Sequence, residues 1–175
     1  MKVTMVTVQS LDGKLTHGDN PNVHAWNSDA DAEHWKKLRD AAKLIVMGRK
    51  TYEAMAPHMN HDGSKLRVVV TSQPEQFAGQ AVPGALEFTN EQPAELVKRL
   101  ESAGYENMLL AGGGVLNGSF LRAGQVTELY TTLEPRLFGQ GAELAGTELI
   151  DVSLHLESAT QLNALGTLLL HYTVA

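Results

Sequence analysis

From Val3 to Val8 apolar and polar residues alternate, the period of a strand with one buried face. Helical spacing replaces it from about Asp29 to Ala42, and a short apolar run, Leu44 to Met47, follows. The same exchange recurs along the chain. A short helix is expected from Thr51, a strand over Val68 to Thr71, a helix near Pro93 to Ala103 and a strand over Met108 to Ala111. A second short helix should start at Val115, before a strand over Val126 to Leu133. Such alternation predicts an α/β fold whose central strands are largely parallel and covered on both faces. Beyond Leu133 the helical period disappears. Leu154 to Thr160 and Leu168 to Val174 read as strands, which suggests an antiparallel end to the sheet. No repeat, low-complexity tract or linker interrupts the 175 residues, so a single domain over 1–175 is expected.

Composition narrows the chemistry. The 20 acidic and 14 basic side chains leave a net charge of −6, which offers no footprint for a nucleic-acid backbone. Any bound anion must be held locally. With no cysteine there is no disulfide, thiolate metal site or thiol nucleophile, and a cytoplasmic home is the natural expectation. The N-terminus lacks the basic and apolar regions of a signal peptide, and no apolar run approaches the roughly 18 residues of a membrane span, so no membrane partner is expected. His58 and His61 lack the helical i, i+4 spacing of a zinc site, and Ser119 lacks a G-x-S-x-G frame; neither a metal nor hydrolysis is expected.

Two stretches share a design suited to phosphates. Gly112-Gly113-Gly114 ends a strand and opens a helix, where free N–H groups and the helix dipole favour an anion; a tight turn without ligand explains the glycines equally well. Met47-Gly48-Arg49-Lys50-Thr51 repeats the pattern, with two cations at a helix start that opposes them. Junctions of this type at the carboxyl ends of strands in one sheet could grip both ends of a dinucleotide. Arg49 and Lys50 would then read a third phosphate, and Thr71-Ser72 would add hydroxyls at a neighbouring strand end, where a polar turn is the competing reading.

The first helix carries the candidate acid. Ser28 or Asp29 fits the N-cap, and Asp31, Trp35 and Leu38 share one face. A carboxylate among apolar neighbours has its pKa raised and can manage protons; a first-turn acid complementing the dipole is the simpler role. Ser10-Leu11-Asp12-Gly13-Lys14 reads as a turn after the first strand.

Taken in order, these blocks resemble the dihydrofolate reductase superfamily, and within it the reductase domain of bacterial riboflavin biosynthesis. The resemblance rests on Ser10 to Leu15, Leu38-Arg39, Leu44 to Thr51, Gly112 to Gly114 with Ser119-Phe120-Leu121, Glu128-Leu129-Tyr130 and Pro135 to Gly141. It implies a three-layer α/β/α fold on a mixed sheet of about eight strands, and NADPH-dependent hydride transfer. It places Gly48, Arg49, Lys50, Thr51, Thr71, Ser72, Gly112, Gly113, Gly114, Val115 and Leu116 at the cofactor. By the same resemblance Asp31 is the proton-managing acid, and Ser10, Lys14, Trp26, Asn27, Trp35 and Thr132 belong to the substrate side.

Marks of two branches are present. Trp26-Asn27, Asp31 and Thr132 are similar to folate reductases, whereas Ser10 to Lys14, Leu38-Arg39 and the C-terminal half are similar to the riboflavin branch, which is commonly dimeric. Each branch also meets departures. Ala111 stands where the riboflavin branch usually has a glutamate. The D-x-P-x-L-T-x-R segment, whose arginine contacts the ribose phosphate, is absent from Tyr52 to Arg67. Lys65 stands where folate reductases often carry an arginine. The expectation is a stand-alone reductase of a small pyrimidine or pterin-like substrate, with dihydrofolate reduction and a nucleotide-binding module without turnover as alternatives.

Overall fold

The computed structural model describes residues 1–175. Eight strands form one sheet: β1 (Lys2–Ser10), β2 (Leu44–Gly48), β3 (Leu66–Val70), β4 (Leu86–Thr89), β5 (Asn107–Leu110), β6 (Glu128–Glu134), β7 (Leu154–Gln161) and β8 (Leu168–Val174). Their spatial order is β4-β3-β2-β5-β1-β6-β8-β7. All pairings from β4 across to β6 are parallel, while β8 runs antiparallel to β6 and β7 antiparallel to β8. The mixed sheet with an antiparallel end is therefore as the periodicity predicts.

The parallel strands are joined by α1 (Asp29–Ala41), α2 (Arg49–Met55), α3 (Pro93–Ser102) and α4 (Gly114–Arg122). Alternate residues of a strand point to opposite faces, and the two faces pack different helices. Leu44, Val46 and Val68 meet Leu96 and Leu100 of α3 and Phe120 of α4. Ile45, Met47 and Val69 meet Trp35 and Leu38 of α1 and Tyr52 of α2 on the other face. Near-continuous apolar runs such as Leu44 to Met47 are what burial on both faces requires. Helix α1 starts at the Ser28 cap, whose hydroxyl accepts the Asp31 N–H at 3.3 Å.

A strap over residues 136–146 closes the fold against the first loop. Leu11 N–H donates to Arg136 O, Leu15 N–H to Ala142 O and Gly18 N–H to Gln140 O. The Asp12 carboxylate accepts the Phe138 N–H at 3.0 Å, the Gly139 N–H at 2.6 Å and the Ser10 hydroxyl. Those bonds, the Ser10 one foremost, pull its pKa down to about 2. The strap also lies on α4: a Cβ at Gly114 would stand 1.9 Å from Glu143 O, and one at Gly118 2.0 Å from Ala145 O.

A cleft at the carboxyl ends of the parallel strands

Because β1, β2, β3 and β5 are parallel, their carboxyl ends open on one edge of the sheet. Strand β5 is inserted between β1 and β2, and such reversals of strand order leave a crevice at that edge. Here the crevice is a cleft of about 1680 Å³. Pockets for one small ligand are roughly 300–1,000 Å³, so this cleft is larger than one such ligand needs.

The two glycine junctions meet in this cleft. Gly48 N–H donates to Gly112 O at 2.7 Å, which joins the end of β2 to the loop after β5. Neither α2 nor α4 has a side-chain cap, so the N–H groups opening α4 lack internal partners. The glycines differ in what demands them. Gly112 has φ +82°, a conformation that favours glycine, and Gly114 is packed under the strap. Gly48 and Gly113 have ordinary φ values of −81° and −77°. A Cβ at Gly48 would meet only ordinary contacts at 3.7 Å or more, and one at Gly113 only Thr51 Oγ1 at 3.5 Å. Neither backbone angle nor space demands glycine at these two positions; each is the N-cap of its helix, where glycine is modestly favoured over alanine. Both line the cleft, where a missing side chain lets a ligand reach the backbone.

All eleven residues assigned to the cofactor line this one cleft: Gly48 to Thr51, Thr71, Ser72 and Gly112 to Leu116. Arg49 is exposed and its guanidinium engages Glu53 one turn along α2. Lys50 is exposed and belongs to no ion pair. The Thr71 hydroxyl is partly committed, since it accepts the Gln73 N–H at 3.3 Å.

Of Asp31 and the substrate-side residues, Asn27, Asp31 and Trp35 line the cleft, while Ser10, Lys14, Trp26 and Thr132 do not. Ser10 is fully buried and holds the turn through Asp12 and the Lys14 N–H. Lys14 pairs with Glu143 of the strap. Trp26 packs edge-on to Phe138, and its carbonyl accepts a bond from Arg136. Asp31 is 5% exposed. Its Oδ2 accepts the Asn27 amide at 2.8 Å. Burial pushes its pKa up; the Asn27 amide and Thr132 hydroxyl work against that, and the Glu134 charge adds to it.

Glu134 is a site residue that the sequence pattern did not single out. It is 3% exposed, accepts the Ser28 N–H at 2.8 Å and the Thr167 hydroxyl at 2.7 Å, and so ties β6 to the start of α1. Glu128, Tyr130, Thr132 and Glu134 alternate along β6, a polar period on one face that could have marked it.

A family model described as the RibD C-terminal domain matches residues 1–165. The chain belongs to the RibD C-terminal domain family. The uncharacterized protein YwjB of Bacillus subtilis (strain 168) is 24% identical over 180 residues, covering 99% of this chain and 98% of YwjB. A pyrimidine reductase-like protein of Corynebacterium diphtheriae superposes with a TM-score of 0.79 at 15% identity, over 99% of this chain and 92% of that one. A diaminohydroxyphosphoribosylaminopyrimidine deaminase/5-amino-6-(5-phosphoribosylamino)uracil reductase of Thermotoga maritima gives 0.76 at 16% identity. That match covers 99% of this chain and 56% of the Thermotoga chain. At such identities the structures share the fold, and the dihydrofolate reductase-like architecture expected from the sequence is the one observed. Membership of this family makes a reductase-like activity the coarse expectation for the cleft.

Proposed function

We propose that the protein is an NADPH-dependent reductase that transfers a hydride to a small nitrogen heterocycle, a ribosylaminouracil-type pyrimidine in first place. The observation that carries the reading is the pair Gly48 and Gly113, side-chain-free without a steric cause and facing one cleft. Gly48 to Thr51 would hold phosphates of the cofactor, with Lys50 as the cation available for a 2′-phosphate. The uncapped start of α4 at Gly113 and Gly114 would hold the pyrophosphate and nicotinamide half. A reduced nicotinamide supplies the hydride, and the protein supplies orientation and proton management.

The proton belongs to Asp31. Its raised pKa keeps a larger fraction protonated near neutrality than an exposed aspartate would show. Asn27 fixes one carboxylate oxygen at 2.8 Å, and Thr132 supports the group from β6. The acid therefore presents a defined edge to a substrate nitrogen, directly or through water. Trp35, one turn along α1, offers a flat wall for the heterocycle.

Two assays test this reading together. NADPH should raise the melting temperature more than NADH at equal concentration, because a ligand that binds the native state stabilises by RT ln(1 + [L]/Kd). NADPH oxidation should then depend on the ribosylaminouracil substrate. Equal shifts with both cofactors would remove the phosphate assignment. Stabilisation without turnover across a pyrimidine and pterin panel, dihydrofolate included, would leave a nucleotide-binding module.

A further inference from the structure

Ser28, Asp31 and His34 run inward from the cap of α1 at three-residue intervals, so they share one side of the helix. Glu134, Thr132 and Tyr130 share one face of β6. The two rows meet step by step. Ser28 N–H donates to Glu134 at 2.8 Å, Thr132 supports Asp31, and the His34 ring lies against Tyr130 with centroids 5.7 Å apart. The third step brings an imidazole within one helical turn of the acid, where side chains three apart stand roughly 5–6 Å from each other at Cβ.

Packing alone does not call for a histidine there. His34 is half-buried, and its Nε2 is shut off from solvent without a hydrogen-bond partner. A phenylalanine would fill similar space and leave no polar atom buried. The ring it touches is fixed: Tyr130 lies flat on His171 of β8, with centroids 4.1 Å apart and planes within 4°, and His171 Nε2 pairs with Glu128 at 3.1 Å. Glu128, 7% exposed, also accepts the Thr4 hydroxyl at 2.7 Å and the Lys2 ammonium at 2.8 Å. The titratable groups around His34 are therefore Asp31 and Lys37 on α1, Tyr130, Glu128 and Glu134 on β6, His171 on β8 and Lys2 on β1. Lys37 is exposed and paired with Glu33 at 3.0 Å, and Glu128 is matched by Lys2 and His171. Asp31 belongs to no ion pair, so it is the carboxylate left to answer a charge on His34. Burial lowers the His34 pKa, the Asp31 charge works against that, and Lys37 adds to it. Burial likewise raises the Asp31 pKa, and the His34 charge is among the groups that work against it. A proton on one member changes the affinity of the other, so the two titrate as a pair.

We infer that His34 is a positioning residue for the proposed reaction: held against Tyr130, it sets the pH at which Asp31 carries the proton destined for the substrate nitrogen. This rests on the reductase reading for the use of the proton, not for the link between the two groups. The sign follows from charge. An imidazolium at His34 favours the Asp31 carboxylate, so the acid takes up its proton at a lower pH than it would beside a ring that stays neutral. Turnover then begins only once that hold is overcome, and the substrate pocket answers to a group that does not line the cleft.

The test is an NMR titration of the free protein, following the Asp31 carboxyl carbon and the His34 ring, with Asp31→Asn supplying the carboxyl assignment. His34→Phe keeps a ring against Tyr130 and cannot titrate; His34→Gln keeps a polar group and cannot titrate. In both, the Asp31 midpoint should move to higher pH, and at a pH above the wild-type midpoint the protonated fraction should be at least about threefold that of wild type. The kcat on that side of the profile should rise with it while NADPH affinity stays unchanged, an outcome that a merely structural role for His34 would not produce. Reciprocally, Asp31→Asn should move the His34 midpoint to lower pH, and this arm keeps the test decisive if a His34 variant fails to fold. An Asp31 midpoint unmoved in the folded His34 variants, or a His34 midpoint unmoved by Asp31→Asn, would overturn the inference. Shifted midpoints in a protein that oxidises no NADPH would refute the reductase reading and leave the link between the two groups standing.

Discussion

Adding one methyl group separates the two kinds of glycine in the cleft. In Gly48→Ala the new Cβ would stand 3.7 Å from Gly112 O and Gly113 N and 3.8 Å from Leu116 Cβ, all ordinary contacts, at an unstrained φ of −81°. The free protein should barely notice. Alanine is the poorer helix N-cap by roughly 1 kcal/mol, and the stiffer unfolded chain returns about 0.4–1 kcal/mol, so the melting temperature should move by no more than about 4 °C. The methyl would, however, fill the seam between the two junctions, where the proposed function puts the cofactor backbone. An overlap there costs about 1–3 kcal/mol, which weakens NADPH binding roughly 5- to 150-fold. Gly114→Ala should do the reverse. Its Cβ would lie 1.9 Å from Glu143 O, about 1.5 Å short of ordinary contact, so the strap must retreat from α4. The expected cost is again about 1–3 kcal/mol, now read as a lower melting temperature at about 2–4 °C per kcal/mol. Calorimetric NADPH titration and thermal melts of both variants give the comparison. Gly48→Ala binding NADPH within about twofold of wild type would refute the assignment of the seam to a ligand.

The three acids give further outcomes. Asp31→Asn should lower kcat by about a hundredfold or more with NADPH binding retained, since that is the smallest usual contribution of general acid–base catalysis. The same change should raise the melting temperature at neutral pH. A carboxylate whose folded pKa is raised opposes folding above that pKa, where it must ionise while buried; below its unfolded pKa it is protonated in both states and the penalty is gone. The gain of the Asp31→Asn variant over wild type therefore vanishes as the pH of the melts is lowered. Glu134→Gln should move the Asp31-dependent limb of the kcat profile to lower pH, because the Glu134 charge contributes to raising that pKa; an unmoved limb would separate the two groups. Asp12, held near a pKa of about 2, lends stability that is full above its unfolded value and is lost as pH falls from about 4 to 2. Asp12→Asn should remove that acid-range slope in thermal melts.

The parts of the fold that the sequence made legible are those with a local signature. Apolar runs marked β2, β3 and β5, the Ser28 cap and apolar spacing marked α1, and the loss of helical period after Leu133 marked the antiparallel end. Strand β4 was not legible: Leu86-Glu87-Phe88-Thr89 is four residues long, too short to show a period, and follows Pro83-Gly84 in what reads as a turn. Helix α2 starts at Arg49 and not Thr51, because Gly48 itself takes the extended N-cap conformation. In the site, each glycine junction was visible, but their contact through the 2.7 Å bond from Gly48 to Gly112 depends on β5 lying beside β2. Long-range partners were hidden for the same reason. Asp12 meets Phe138 across 126 residues, and Ser28 meets Glu134 across 106. Nothing local in Asp12-Gly13 or in Pro135 to Gly141 announces that one carboxylate anchors the strap. The burial of Arg67, whose guanidinium donates to Asn60 O, likewise appears only when the loop at Asn60 closes over β3.

The most direct measurement is transfer of label from NADPH deuterated at the nicotinamide C4 to the ribosylaminouracil substrate, followed by mass spectrometry of the product. Hydride transfer within the cleft predicts a reduced product carrying one deuterium, formed by the wild type and at least about a hundredfold more slowly by Asp31→Asn. A protein that binds NADPH yet yields no labelled product from any pyrimidine or pterin offered would contradict it.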